Sequence, residues 1–352
     1  MRHAITIATA LCILAPLAGD ATAQSLGPEF AADYSYFDLG SVPGVPANYG
    51  GLMFSPDDAN VLLIGGSANT ANAKIYAIPV NRDTDGSVIG FGCDVVALPV
   101  YDAPRIDGGL DVGPDGVIFY ATYSDNTIGQ IMPGSTGPDR VIALGPLGVA
   151  SSTGTLRFVP PGFAGAGRLK IVSYNASRWY DAEVSPDGNG TFDIAVTRGF
   201  VQLSGGPEGT VYIAAGNPQF AVDSVLVTKY GANRVDAYEI DANGDPIPST
   251  QRVFVSGLTN AEGAAIDPIT GDFFFSTFGG GNRVVRVSGF LTTTACTGDL
   301  NGDGVVDGAD LGILLLNWGQ TDGGPAAGDL NGDCVIDGAD IGALLNQWGP
   351  CA

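Results

Sequence analysis

The densest set of metal-ligating side chains lies near the C-terminus, where one short motif is written twice. From Gly298 the chain reads GDLNGDGVVDGADLGILLLNWG, and from Gly328 it reads GDLNGDCVIDGADIGALLNQWG, an offset of thirty residues. Each copy sets oxygen donors at alternate positions of a twelve-residue loop. In the first they are Asp299, Asn301, Asp303, the carbonyl of Val305, Asp307 and Asp310. In the second they are Asp329, Asn331, Asp333, the carbonyl of Val335, Asp337 and Asp340. Carboxylates crowded into so short a loop repel one another, and a hard dication that accepts roughly six to eight oxygens relieves the repulsion. Two bound calcium ions are therefore expected, and the segment is expected to need them to fold.

The ligand rhythm is that of an EF-hand loop. After each loop apolar residues recur at helical spacing, as in Leu311, Leu314, Leu315 and Trp318, which predicts helices over Asp310 to Trp318 and Asp340 to Trp348. No helix can be read before the first loop. A loop followed by a single helix, doubled in this way, resembles the type I dockerin family over Cys296 to the end of the sequence. The resemblance implies two half-EF-hands packed on each other, and docking onto a cohesin-like scaffold or surface protein. It also assigns partner contact to the two residues before the last calcium ligand, here Gly308 and Ala309, and Gly338 and Ala339. That pair lacks the hydroxyls common in cellulosome dockerins, yet its identity in both copies suits a two-fold docking surface. The second loop has Cys334 where Gly304 makes the sharp turn in the first. A left-handed backbone at a non-glycine residue costs on the order of 1 kcal/mol, so weaker calcium binding is expected there.

The body, residues 24–290, shows no amphipathic helix of useful length. Short runs rich in Val, Ile, Tyr, Phe and Thr alternate with Gly, Pro, Asn and Asp clusters, as at Val61 to Ile64, Val117 to Tyr120, Lys170 to Ser173, Val225 to Thr228 and Phe273 to Ser276. Longer units repeat. GLDVGPDGVIFYATYSDNTIGQI from Gly109 parallels GAAIDPITGDFFFSTFGGGNRVVRV from Gly263 and GLMFSPDDANVLLIGG from Gly51. LKIVSYNASRWYDAEVSPDG from Leu169 aligns with VLVTKYGANRVDAYEIDANG from Val225, pairing Tyr174 with Tyr230, Arg178 with Arg234 and Glu183 with Glu239. Units beginning near Gly51, Gly109, Gly154, Gly209 and Gly263 leave room for four short strands each, which points to a β-propeller of five or six blades, with a β-sandwich array as the rival. The last unit stops at Phe290 before a fourth strand, and DYSYFDL at Asp33 to Leu39 is positioned to supply it. The repeat style is similar to that of NHL and gluconolactonase-like propellers. The whole reads as an all-β propeller followed by a small helical calcium-binding domain at 298–352, with a linker at 291–297.

Propeller ligands meet where the inner strands begin. Residues just before each repeat are Asp107 and Asp111, Glu208 in Pro207-Glu208-Gly209, and Glu262 in Ala261-Glu262-Gly263, with Asn260 beside the last. Asp111, Glu208 and Glu262 are the candidate channel ligands; the resemblance to lactonase-like propellers implies a divalent metal at such positions. The competing reading is that these acids bond backbone amides at blade turns. Arg178 and Arg234, with Tyr174 and Tyr230, either contact a sugar or recur because the blade recurs.

Residues 1–23 carry Arg2, an apolar run from Ala4 to Leu17 and the small-x-small site Ala21-Thr22-Ala23, the pattern of a secretory signal peptide. Its removal takes His3, the sole histidine, and with it histidine-based catalysis and imidazole ligation. A formal net charge of -22 excludes nucleic acid and anionic lipid as partners, and no later run is long enough to span a membrane. Cys93, Cys296, Cys334 and Cys351 allow three pairings; the resemblance favours Cys296 with Cys351, and Cys334 could equally take either place. Two functions follow. One is a secreted binding or structural propeller tethered to an extracellular or cell-surface assembly by its calcium-binding tail. The other is a carbohydrate-active hydrolase or lactonase that uses paired carboxylates or a metal and takes part in polysaccharide breakdown.

Overall fold

The apolar runs that repeat along the body form the second strand of each blade, buried on both faces. A computed structural model describes residues 24–83, 86–91, 96–290, 298–301, 305–320, 328, 330 and 335–350. In chain order the strands begin with β1 (Ser25–Leu26) and β2 (Ser35–Gly40). The first blade comprises β3 (Leu52–Phe54), β4 (Val61–Gly66) and β5 (Lys74–Arg82), with both β6 (Val88–Phe91) and β7 (Leu98–Asp102) pairing the outer side of β5. The second is β8 (Ile106–Val112), β9 (Ile118–Thr122), β10 (Thr127–Ile131) and β11 (Arg140–Ala143). The third is β12 (Thr153–Phe158), β13 (Leu169–Ser173), β14 (Arg178–Pro186) and β15 (Phe192–Gln202). The fourth is β16 (Pro207–Ile213), β17 (Ser224–Lys229), β18 (Arg234–Glu239) and β19 (Arg252–Ser256), and the fifth opens with β20 (Ala261–Ile266), β21 (Phe273–Thr277) and β22 (Val284–Ser288).

The N-terminal segment closes the ring. β2 pairs antiparallel with β22, Ser35 opposite Ser288 and Phe37 opposite Arg286, and so becomes the outermost strand of the fifth blade. β1 adds a fifth strand to the fourth blade by pairing β19. Between them Phe30 and Tyr34 sink among Phe220, Phe254 and Phe290, so one aromatic cluster joins the fourth and fifth blades. A separate core fills each of the other four blade junctions, with Leu52, Phe54 and Phe274 sealing the fifth against the first. Among the described residues there are thus five blades, all antiparallel and wound outward from the axis.

Five sheets around one axis crowd their inner strands, and glycine makes the crowding feasible. A Cβ on Gly209 would lie 2.4 Å from the Ala264 amide nitrogen, and one on Gly109 would lie 2.5 Å from that of Leu156. Ion pairs tie blades together beside these cores. Arg82 forks onto Asp267 from the first blade to the fifth, and buried Lys170 donates to Asp181 (2.8 Å) and Asp245 (2.6 Å), joining the third to the fourth.

The tail holds β23 (Val305–Val306), α1 (Gly308–Leu316), α2 (Gly338–Leu345) and β24 (Gly349–Pro350). The helices begin two residues earlier than the apolar spacing predicts, because Asp307 and Asp337 cap them through reciprocal boxes with Asp310 and Asp340. Both end before the tryptophans that were expected to finish them. Val306, Leu314, Ile336 and Leu344 form a small core of residues related by the thirty-residue offset. The pairing is reciprocal: Gly319 N–H donates to the Ile336 carbonyl, and Gly349 sits opposite Val306. Among the described residues no helix is long and apolar enough to cross a membrane.

Candidate ligand site at the channel mouth

Each inner strand of the second to fifth blades opens with a break in register. The shifts fall between Ile106 and Leu110, Thr153 and Thr155, Pro207 and Thr210, and Ala261 and Ala264. Such a bulge re-aims the side chain that it carries. In three blades that side chain is an acid, and the acids converge: Asp107, Glu208 and Glu262 each bring a carboxylate oxygen within 4.8 Å of the others. All three are buried. Room for them comes from glycine, since a Cβ on Gly154 would lie 2.4 Å from Glu208 Oε2 and one on Gly108 would lie 2.9 Å from it.

No cationic side chain offsets this charge among the described residues. Burial lifts the Asp107 carboxyl from its usual value to about 7, against the opposing pull of hydrogen bonding with Glu262 and Asn69. Burial pushes Glu208 well up, and repulsion from Asp107 adds to it. Glu262 rises for the same reason, with both neighbouring acids contributing. Asp107 Oδ2, Glu208 Oε2, Glu262 Oε2 and the neighbouring Asn69 Oδ1 are buried acceptors without a hydrogen-bond partner. A buried polar atom left unmatched is costly, and these four lie beside one another.

Above the acids stands an aromatic collar. The residue that follows the second strand is Tyr123 in the second blade, Tyr174 in the third, Tyr230 in the fourth and Phe278 in the fifth, all half-buried. Ring centroids run from Tyr123 to Tyr174 at 6.0 Å, to Tyr230 at 5.7 Å and to Phe278 at 6.1 Å, with successive planes turned by 83°, 89° and 65°. In the first blade the equivalent residue is Ser67, which leaves a gap in the ring. Burial raises the phenols of Tyr174 and Tyr230, and the charges of Glu208 and Glu262 raise them further. Tight turns support the rings, with Asn126, Ser177, Asn233 and Asn282 in left-handed backbone.

The other end of the axis is plugged. Arg157 on β12 donates to Asp111 Oδ1 (3.0 Å) and to the carbonyls of Thr210 (2.8 Å) and Ala264 (2.6 Å), bridging four inner strands. Asp111 therefore lies outside the acid cluster: its carboxylate takes Arg157 and the Phe158 amide. Asn260 also stays out, as its amide clamps the Phe278 carbonyl at 2.7 Å. Arg178 covers the Phe200 ring at 3.9 Å and Arg234 pairs with Asp236, so both serve the blades. The sequence carried a sign of Asp107, since acid followed by glycine recurs at Asp107-Gly108, Glu208-Gly209 and Glu262-Gly263. Asn69 had no such sign, because it reaches the cluster from a loop of another blade.

In the tail, Asp310 Oδ1 accepts from the Leu300 and Asn301 amides and Oδ2 from the Asp307 amide, drawing loop onto helix. Asp340 repeats this with Leu330 and Asp337. Burial opposes ionisation of Asp310, but the three amides outweigh it and hold the carboxyl below its usual value. Asp299, Asn301, Val305, Val335 and the capping Asp307 and Asp337 are also placed, whereas Asp303, Asp329, Asn331 and Asp333 lie outside the described residues. So do all the cysteines, the segment 1–23 and the linker 291–297. Gly308, Ala309, Gly338 and Ala339 are exposed in the first turns of the two helices. Beyond them Leu315 and Trp318 stand out to solvent, as do their offset partners Leu345 and Trp348.

Strand order and closure define the class: an all-β, five-bladed propeller with a short two-helix tail. No protein-family model matches the chain, and no curated protein matches it. Among solved structures it is similar to the PQQ domain of a pyranose dehydrogenase from Coprinopsis cinerea, at 10% identity and a TM-score of 0.40, over 76% of this chain and 97% of that one. It is also similar to the PQQ-bound aldose sugar dehydrogenase from Streptomyces coelicolor, at 16% identity and 0.38, over 71% and 83%. A putative 6-phosphogluconolactonase from Bacteroides uniformis matches at 16% identity and 0.36, over 64% and 63%. At such values these likenesses carry no functional argument.

Proposed function

We propose that this protein is a secreted binding module whose propeller holds a divalent cation at the channel mouth and whose tail tethers it to an extracellular or cell-surface assembly. One observation carries the reading of the propeller: three buried acids with unmatched oxygens converge on a point where, among the described residues, no cationic side chain balances them. Hard oxygen donors of this kind suit calcium, magnesium or manganese. Asp107, Glu208 and Glu262 would hold the ion, with Asn69 as a neutral fourth donor. Calorimetric titration of the full chain with Ca2+ or Mn2+ tests this. Glu208→Gln with Glu262→Gln should remove one class of site, and an isotherm unchanged by the pair refutes it.

For the tail, support comes from the duplicated exposed pairs Leu315 with Trp318 and Leu345 with Trp348, beside Gly308, Ala309, Gly338 and Ala339. An apolar patch offered twice by a two-fold unit suits a cohesin-like partner that can bind either way round. Two calcium ions in the loops would fix the helices that present it. Capture of a surface or scaffold protein by the full chain with calcium, lost on chelation and on Trp318→Ala with Trp348→Ala, is the expected result; capture that ignores both refutes docking by this route.

The second reading, a carbohydrate-active hydrolase or lactonase, is favoured by the raised Asp107 carboxyl, which keeps a proton near neutral pH as a general acid requires. Turnover of glycans or sugar lactones that Asp107→Asn abolishes would establish it; absence of turnover across such a panel leaves the binding reading alone.

A further inference from the structure

We infer that the ligand presented to the channel mouth is a neutral saccharide, gripped by the aromatic collar of Tyr123, Tyr174, Tyr230 and Phe278; this rests on the reading of the acid cluster as a cation site. The charge at the mouth decides the sign of the ligand. Three carboxylates and one dication sum to minus one, so nothing there attracts an anion. Arg105, two residues before Asp107, is taken up by Asp125 at 3.1 Å. A chain of net charge -22 repels carboxylate and phosphate ligands further.

The shape of the collar decides the rest. Tyr123, Tyr174 and Tyr230 meet edge to face, their planes turned successively by 83° and 89°, so the collar is one continuous aromatic wall. Ring faces suit the C–H face of a sugar, whose axial hydrogens meet the negative π surface. The Tyr174 and Tyr230 hydroxyls can donate to sugar oxygens. Adjacent sugar hydroxyls would reach the cation, replacing water in its coordination shell. The Ser67 gap in the first blade gives the rest of an oligosaccharide a way out past a small polar residue.

The test uses the full chain. After calcium titration, neutral oligosaccharides (cello-, xylo- and manno-series) are titrated beside oligogalacturonate as the anionic probe and spermidine as an organic cation. Expected is calcium-dependent binding of one neutral series, with oligogalacturonate and spermidine inert. Tyr174→Ala and Tyr230→Ala should each weaken it about fivefold or more while leaving the calcium isotherm unchanged. Tyr174→Phe keeps the ring and should retain most of the binding, which guards against a folding defect. Calcium binding that needs Glu208 and Glu262, with no neutral saccharide bound, refutes the inference alone. Tighter binding of oligogalacturonate, or displacement of calcium by spermidine, also overturns it. A calcium isotherm identical in wild type and the double glutamine variant refutes the cation reading beneath it.

Discussion

Replacing Glu208 by glutamine should stabilise the cation-free protein at pH 8, although the residue is buried at the heart of the fold. Two carboxylate oxygens no more than 4.8 Å apart repel by at least about 3.5 kcal/mol at an effective dielectric constant of about 20. Three ionised acids make three such pairs, about 10 kcal/mol, which rivals the whole stability of a typical domain. Taking up a proton at pH 8 relieves part of this, but it costs a carboxyl of ordinary pKa about 5 kcal/mol. Glu208→Gln removes two pairs with no proton taken up, so the net gain is roughly 3–5 kcal/mol, or about 10 °C in melting temperature. The sign with pH follows from the raised pKa values. The native state binds more protons than the unfolded chain above the ordinary carboxylate range, so wild-type stability falls as pH climbs through about 7. The advantage of the variant should therefore shrink toward pH 5. Calcium at about one hundred times its Kd should add about 2.7 kcal/mol to wild type through this site, and the variant should lose that increment. Thermal melts of chelator-treated protein from pH 5 to pH 8, with and without calcium, measure all of this. A variant no more stable than wild type at pH 8 without cation would refute the reasoning.

Lys170→Met should cost about 3–5 kcal/mol, because Asp181 and Asp245 would be left buried without their ammonium partner; urea melts read this directly. Gly209→Ala should prevent assembly of the ring, since its methyl would sit 2.4 Å from the Ala264 nitrogen, whereas Gly199→Ala, with open space around it, should be neutral; yield and near-UV circular dichroism separate the two. Asp310→Ala should strip three amides of their acceptor and melt the first tail repeat while the propeller transition stays in place, seen as lost helical signal at an unchanged main melting temperature.

The propeller was legible because the buried second strands carry runs of branched and aromatic residues, and because Asp33 to Leu39 read as a strand with no local partner. Blade number stayed open between five and six because the first blade spends two outer strands, β6 and β7, on one neighbour, which blurs the repeat length. β1 left no trace, since two residues have no periodicity. Within the site, Glu208 and Glu262 stood out through the glycine that follows each. Asp107 and Asp111 were inseparable, because the register shift that sends one to the axis cluster and the other to Arg157 leaves no mark on sequence spacing. Tyr174 and Tyr230 showed their equivalence but not their destination, which depends on which end of the axis the turn occupies.

Closure of the ring by β2 also sets an order of events during synthesis. Ser35 emerges early, yet its partner Ser288 follows some 250 residues later, so the opening segment must wait, unpaired, until nearly the whole propeller has been made. Contacts of such long separation are slow to form. A chain halted between β21 and β22 would expose the edges of both β21 and β2. Completion is thus all or none, and truncated products carry sticky edges that mark them for aggregation or degradation.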